Sequence, residues 1–139
     1  MKTKTTILLL LAFALVGCVH NSTSSALDVG TDQVQIRQIQ SRAFDTTDRE
    51  KTLRTVISTL QDLGFVVDKA DLGLGTVTAT KLDGYALRMS VSVRPRNAKQ
   101  LLVRANAQYQ EEAVTDPGPY QSFFASLAKG MFLTAQNID

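Results

Sequence analysis

Three patterns in the sequence predict an α+β fold, a two-layer sandwich in which an antiparallel sheet packs on two helices. Leu53, Val56, Ile57, Leu60 and Leu63 recur at spacings of three and four, and so do Tyr120, Phe123, Phe124, Leu127 and Met131. Each set is the apolar stripe of a helix with one buried face. Between them Tyr85, Leu87, Met89, Val91 and Val93 alternate with Ala86, Arg88, Ser90, Ser92 and Arg94, and Leu101 to Gln110 repeat the alternation. That period of two marks strands with one core face and one wet face. Helices and strands that each bury only one side must cover one another, and two layers are the simplest way.

Taken in order, Ile39, Ser41 and Ala43 alternate with Gln40, Arg42 and Phe44, which predicts a first strand. Thr47-Asp-Arg-Glu50 then reads as a capping box, with the Thr47 hydroxyl accepting from the Glu50 amide. The helix it starts ends at Leu63, where Gly64 supplies a permissive residue. Its other face, with Arg49, Lys51, Arg54, Ser58 and Gln61, reads as solvated. Strands are predicted over Phe65–Lys69 and Thr76–Leu82, on either side of a turn at Gly73 and Gly75. Asp83-Gly84 is a two-residue hairpin signal leading into the Tyr85 strand. A connection over Pro95–Gln100 precedes the Leu101 strand, and Asp116-Pro117 or Gly118-Pro119 opens the last helix. The order is β-α-β-β-β-β-α, and no internal repeat divides residues 34–139, the size of one small domain.

The segment before this domain has a different character. Lys2 and Lys4 precede an apolar run from Ile7 to Val16, of the length of a signal-peptide core and shorter than a membrane span. Gly17 and then Cys18, the only cysteine, close it. Leu15-Val16-Gly17-Cys18 resembles the lipobox of bacterial lipoproteins. The resemblance implies a signal peptide over 1–17, a diacylglyceryl thioether and an N-acyl group on Cys18, and a chain anchored in the membrane by those lipids. Acyl chains bind a bilayer at about 0.8 kcal/mol per buried CH₂, so two or three hold stably. In that family an aspartate after the cysteine favours the inner membrane. Val19 stands there instead, which points to the periplasmic face of the outer membrane.

Residues 18–33, rich in Ser, Thr, Asn and Asp, read as a flexible tether, with a mean reach of about 20 Å as a random coil. Asp28-Val-Gly-Thr-Asp32 has too few carboxylates for a calcium loop. Lys2 and Lys4 also account for the formal net charge of +2, so the chain without its leader is balanced. Neither that balance nor the sparse aromatics gives the footprint of a nucleic-acid partner. Element order and a sheet closing on a C-terminal helix resemble the helix-grip modules of the lipoprotein subunit of the outer-membrane β-barrel assembly machine. The stretches Ile39-Gln-Ser-Arg-Ala-Phe44 and Thr59-Leu-Gln-Asp-Leu-Gly-Phe65 are similar to those of small proteobacterial lipoproteins.

Catalytic constellations are missing from the sequence. The one histidine, His20, falls in the tether, so no Ser-His-Asp or Cys-His arrangement and no His/Cys zinc site can be assembled. Gly73-Leu-Gly75 precedes a strand rather than a helix, which denies it a phosphate-cradling role. Glu111-Glu112, with Asp68, Asp71 or Asp83, reads as solvated carboxylates. The expectation is a noncatalytic accessory module without a cofactor, apart from the lipid, that contacts another envelope protein in assembly, secretion or efflux. Its candidate surface is the polar sheet face of Arg88, Ser90, Ser92, Arg94, Arg104 and Asn106, with Gln108 alongside and Arg42 extending the row. The alternative is a carrier or sensor of a lipid or other apolar ligand, held between sheet and closing helix by Tyr85, Met89, Tyr109, Phe123 and Phe124.

Overall fold

A computed structural model of the protein describes residues 32–132 and 136–137, with the side chains of Asp83, Tyr85 and 136–137 left aside. The expected signal peptide, Cys18, His20 and the tether up to Thr31 lie outside the described residues, as do 133–135 and 138–139. Helix α1 covers 32–39 and leads into β1 (Ser41–Phe44). Then follow α2 (Arg49–Asp62), β2 (Val66–Asp71), β3 (Thr76–Asp83), β4 (Tyr85–Pro95), β5 (Leu101–Tyr109), β6 (Glu112–Ala113), α3 (Gly118–Met131) and β7 (Gln136–Asn137). The strands pair antiparallel in the order β2-β3-β4-β5-β1-β7, and the short β6 joins the end of β5. Helices α2 and α3 pack on each other and on one face of the sheet, which is the two-layer α+β sandwich the periodicities predict.

Alternation sorts the sheet into two faces. Leu87 is half-buried and Met89, Val91 and Val93 are buried beneath the helices, with Val103, Ala105 and Ala107 beside them on β5. From α2 come Leu53, Val56 and Leu60, and from α3 Tyr120, Phe123 and Leu127, all almost fully buried. Each such side chain is worth roughly 1.5–3 kcal/mol of burial, which is why the helical stripes were legible from spacing alone.

Several local expectations need correction. Ile39 ends α1 rather than starting a strand, and α1 takes in Asp32 and Gln33 as well. Gln40 closes the helix with its amide on the Ile36 carbonyl at 3.1 Å. The N-cap of α2 is Asp48 rather than Thr47: its side chain accepts from the Lys51 amide at 2.9 Å. Glu50, freed from the box, pairs instead with Arg54 four residues on, at 2.6 Å. Aspartate is at least as good a cap as threonine, so shifting the start by one residue loses nothing.

Arg49 does not belong to the solvated face of α2. Its Nη2 donates to the Gly73 carbonyl at 3.0 Å and its Nε to that of Val93 at 3.3 Å, locking the β2–β3 turn onto β4. The fit requires Gly75, at φ 71°, where a Cβ would collide with the Arg49 guanidinium and stand 2.7 Å from the Val93 carbonyl oxygen.

Hairpin register is the most consequential difference. A two-residue Asp83-Gly84 turn would pair Leu82 with Tyr85, whereas Leu82 lies opposite Ala86 and Lys81 opposite Leu87. The observed register sets Val77 against Val91 and Ala79 against Met89, so both strands turn their apolar sets to the helices. A slip of one residue would expose one set, and core burial therefore overrides the local turn preference. Lys81 is carried to the helix side as a result.

One buried polar cluster ties the layers together. Along the edge of β5, β1 starts at Ser41 opposite Arg104, and β6 begins its pairing at Gln108, leaving the Ala107 N–H between them without a carbonyl from a neighbouring strand. The fully buried Tyr120 fills this gap. Its hydroxyl accepts from the Ala107 amide at 3.1 Å and from Gln40 Nε2 at 3.3 Å, and donates to the Val114 carbonyl at 2.8 Å. Buried polar groups need such partners, and no buried side-chain nitrogen or oxygen among the described residues lacks one.

Candidate partner-binding sheet face

The face turned away from α2 and α3 is built by the alternate residues of β3, β4 and β5, joined by Ser41 of β1. Cross-strand pairing arranges it in rungs: Thr80, Arg88 and Gln108; Thr78, Ser90 and Asn106; Thr76, Ser92, Arg104 and Ser41; then Arg94 with Leu102. Residues opposite one another on paired strands share a face, about 5 Å apart. The rungs therefore form one continuous surface of hydroxyls and amides carrying three arginines. Arg88, Arg94, Arg104 and Asn106 are exposed, and Ser90 and Ser92 are half-buried between their neighbours. Arg88 and Arg94 lie about 20 Å apart along β4 at ordinary strand rise, so the cations sit around the polar centre.

Local hydrogen bonds hold three of the neutral groups of this face. Thr78 and Ser90 share a contact of 3.4 Å between hydroxyl oxygens, and the Thr80 hydroxyl donates to Asp68 Oδ2 at 2.6 Å. Asp68 sits where the β2–β3 register shifts, and Asp71 accepts the Leu74 amide at 2.8 Å in the adjoining turn. By contrast, Arg88, Arg94 and Arg104 make no ion pair or hydrogen bond with a described residue. Their guanidinium forks are left for solvent or a partner.

Arg42 does not extend the row. It lies opposite Val103 and so faces the helices, where its guanidinium stands 5.2 Å from the centroid of the Phe124 ring. It donates to the carbonyls of Gln38 and Ser41, and burial lowers its pKa from the usual arginine value. The mistake follows from the strand start: with α1 ending at Ile39, β1 is four residues long and too short for alternation to reveal its phase. Ser41 occupies the β1 position in the rungs, and it is buried rather than presented to solvent. Thr76, Thr78 and Thr80 also belong to the face, and their alternation with Val77 and Ala79 was the signal for them.

The residues read as an apolar pocket separate. Met89, Phe123 and Phe124 are buried in the core, the two phenylalanine rings meeting edge to face at 5.1 Å. Tyr109 is half-buried and lines a surface groove instead, while the Tyr85 side chain is outside the described set. Glu111 is exposed in the turn after β5, and Glu112 is exposed at the start of β6. Among the described residues no three His, Cys, Asp or Glu side chains gather as a metal site, and no helix is long and apolar enough to cross a membrane. No protein-family model matches the chain, and no curated protein matches it.

Proposed function

We propose that the protein is a noncatalytic accessory lipoprotein, held by lipid on Cys18 at the periplasmic face of the outer membrane, whose sheet face docks on another envelope protein. The observation that carries this reading is the set of three exposed arginines on a polar sheet face that have no partner among the described residues. A planar guanidinium fork recognises carboxylates and planar polar groups in two-point contacts, which favours a partner surface bearing acidic side chains. Long, paired strands present these groups on a fixed frame, so docking orders little besides the arginine side chains. The leader and lipobox-like Leu15-Val16-Gly17-Cys18 support the location.

Photo-crosslinking in the native cell tests the docking. Probes at Arg88 and Arg104 are expected to capture one envelope protein that a control probe at Arg54, paired with Glu50 on α2, does not capture. Equal capture from all three positions, or from none, removes the sheet face from the reading. Cys18→Ser tests the anchor separately, and is expected to move the chain from the membrane to the soluble fraction.

A further inference from the structure

On the opposite side of the sheet, a groove of about 350 Å³ opens between the end of α2, the inner face of β3 to β5 and the start of α3. Leu63, Phe65, Leu87 and Pro119 give it apolar walls, and Tyr109, Ser122 and Lys81 are its polar groups. The volume lies at the small end of the range for ligand sites, of roughly 300–1,000 Å³.

Lys81 is the unusual member. Hairpin register turns it to the helix side opposite Leu87, an apolar position on the neighbouring strand. Its chain lies over Gly64, with Cε 3.6 Å and Nζ 3.8 Å from where a Cβ on that residue would stand. The ammonium makes no ion pair or hydrogen bond with a described residue. Asp62, two residues before Gly64, lines a different groove between α2 and α3. A half-buried cation with no partner among the described residues, beside apolar walls, is complementary to an anion carrying an apolar body.

We propose that this groove binds a single-chain amphipathic carboxylate, with its chain against Leu63, Phe65, Leu87 and Pro119 and its head group on Lys81. The site is independent of the sheet-face reading, since the two lie on opposite faces. It also differs from the pocket expected from sequence, sharing Tyr109 alone with it among the described side chains.

Reductive ¹³C-methylation of the full chain keeps each lysine charged and gives it an NMR signal, that of Lys81 being identified by its loss in Lys81→Arg. Decanoate is expected to shift the Lys81 signal saturably while the signals of Lys51 and Lys129 stay in place. Acetate, which has the charge without the chain, is expected to act roughly tenfold more weakly, as is decanoate on a Ser122→Trp chain whose groove is filled. In equilibrium dialysis of the unmethylated chain, Lys81→Gln is expected to weaken decanoate binding roughly tenfold, with Lys81→Arg close to the parent. A decanoate effect no larger than that of acetate would reduce Lys81 to a surface ion-pairing site. No shift at all would leave it only the role of a cation at the α2 terminus. Binding that survives both Ser122→Trp and Lys81→Gln would place the ligand elsewhere, and any of these three results overturns the proposal.

Discussion

The two faces of the sheet share strands and yet answer to different physics. Toward the helices, Met89, Val91 and Val93 are buried, and every fully buried side-chain polar atom among the described residues has a partner, as at Tyr120. One residue over, Arg88, Ser90, Ser92 and Arg94 meet solvent and leave three guanidinium groups, counting Arg104, without a partner among the described residues. A change on the first face should appear as lost stability, and a change on the second as lost association.

Tyr120→Phe attacks the inner face hardest for the loss of one oxygen. It strands the Ala107 amide, the Val114 carbonyl and the Gln40 side chain in buried positions. Unsatisfied buried groups cost about 1–3 kcal/mol each, so a loss of roughly 2–4 kcal/mol is expected from urea unfolding after partial relaxation. An effect within error of zero would mean that water reaches the β5 edge and that the cluster is less sealed than its burial indicates.

A smaller effect tests the start of α2. Asp48→Ala is expected to cost about 1 kcal/mol, the usual worth of an N-cap, while Thr47→Ala should fall well below that. The reverse order would restore the capping box read from sequence. The smallest expected change belongs to the outer face. Arg88→Glu and Arg104→Glu should each alter unfolding free energy by no more than about 0.5 kcal/mol, because exposed side chains without partners contribute little to folding. The same substitutions are expected to abolish crosslinking from a probe at Asn106, which lies between them in the rungs. A large stability loss with either reversal would blur the distinction between the two faces.

Much of this was legible because burial imposes a period. The stripes of α2 and α3 and the alternation of β4 and β5 identified which residues face the core, and with them Arg88, Ser90, Ser92, Arg94, Arg104 and Asn106. What escaped depended on phase or on distant partners. Arg42 was misplaced because a four-residue strand after a short helix shows too little alternation to fix its face. Lys81 was missed because Asp83-Gly84 suggested a tighter hairpin than the core of Val77 and Ala79 allows. Tyr120 read simply as a core aromatic, since nothing local announces the gap in the β5 edge, 13 residues away, that its hydroxyl fills.

That gap gives a single amide an unusual meaning. In an ordinary sheet the N–H of a central strand exchanges with solvent only when the neighbouring strand peels away. The Ala107 N–H is instead held by a phenol delivered by α3, so its exchange reports how often the closing helix lifts from the sheet. One proton in β5 is thereby a clock for the helix layer.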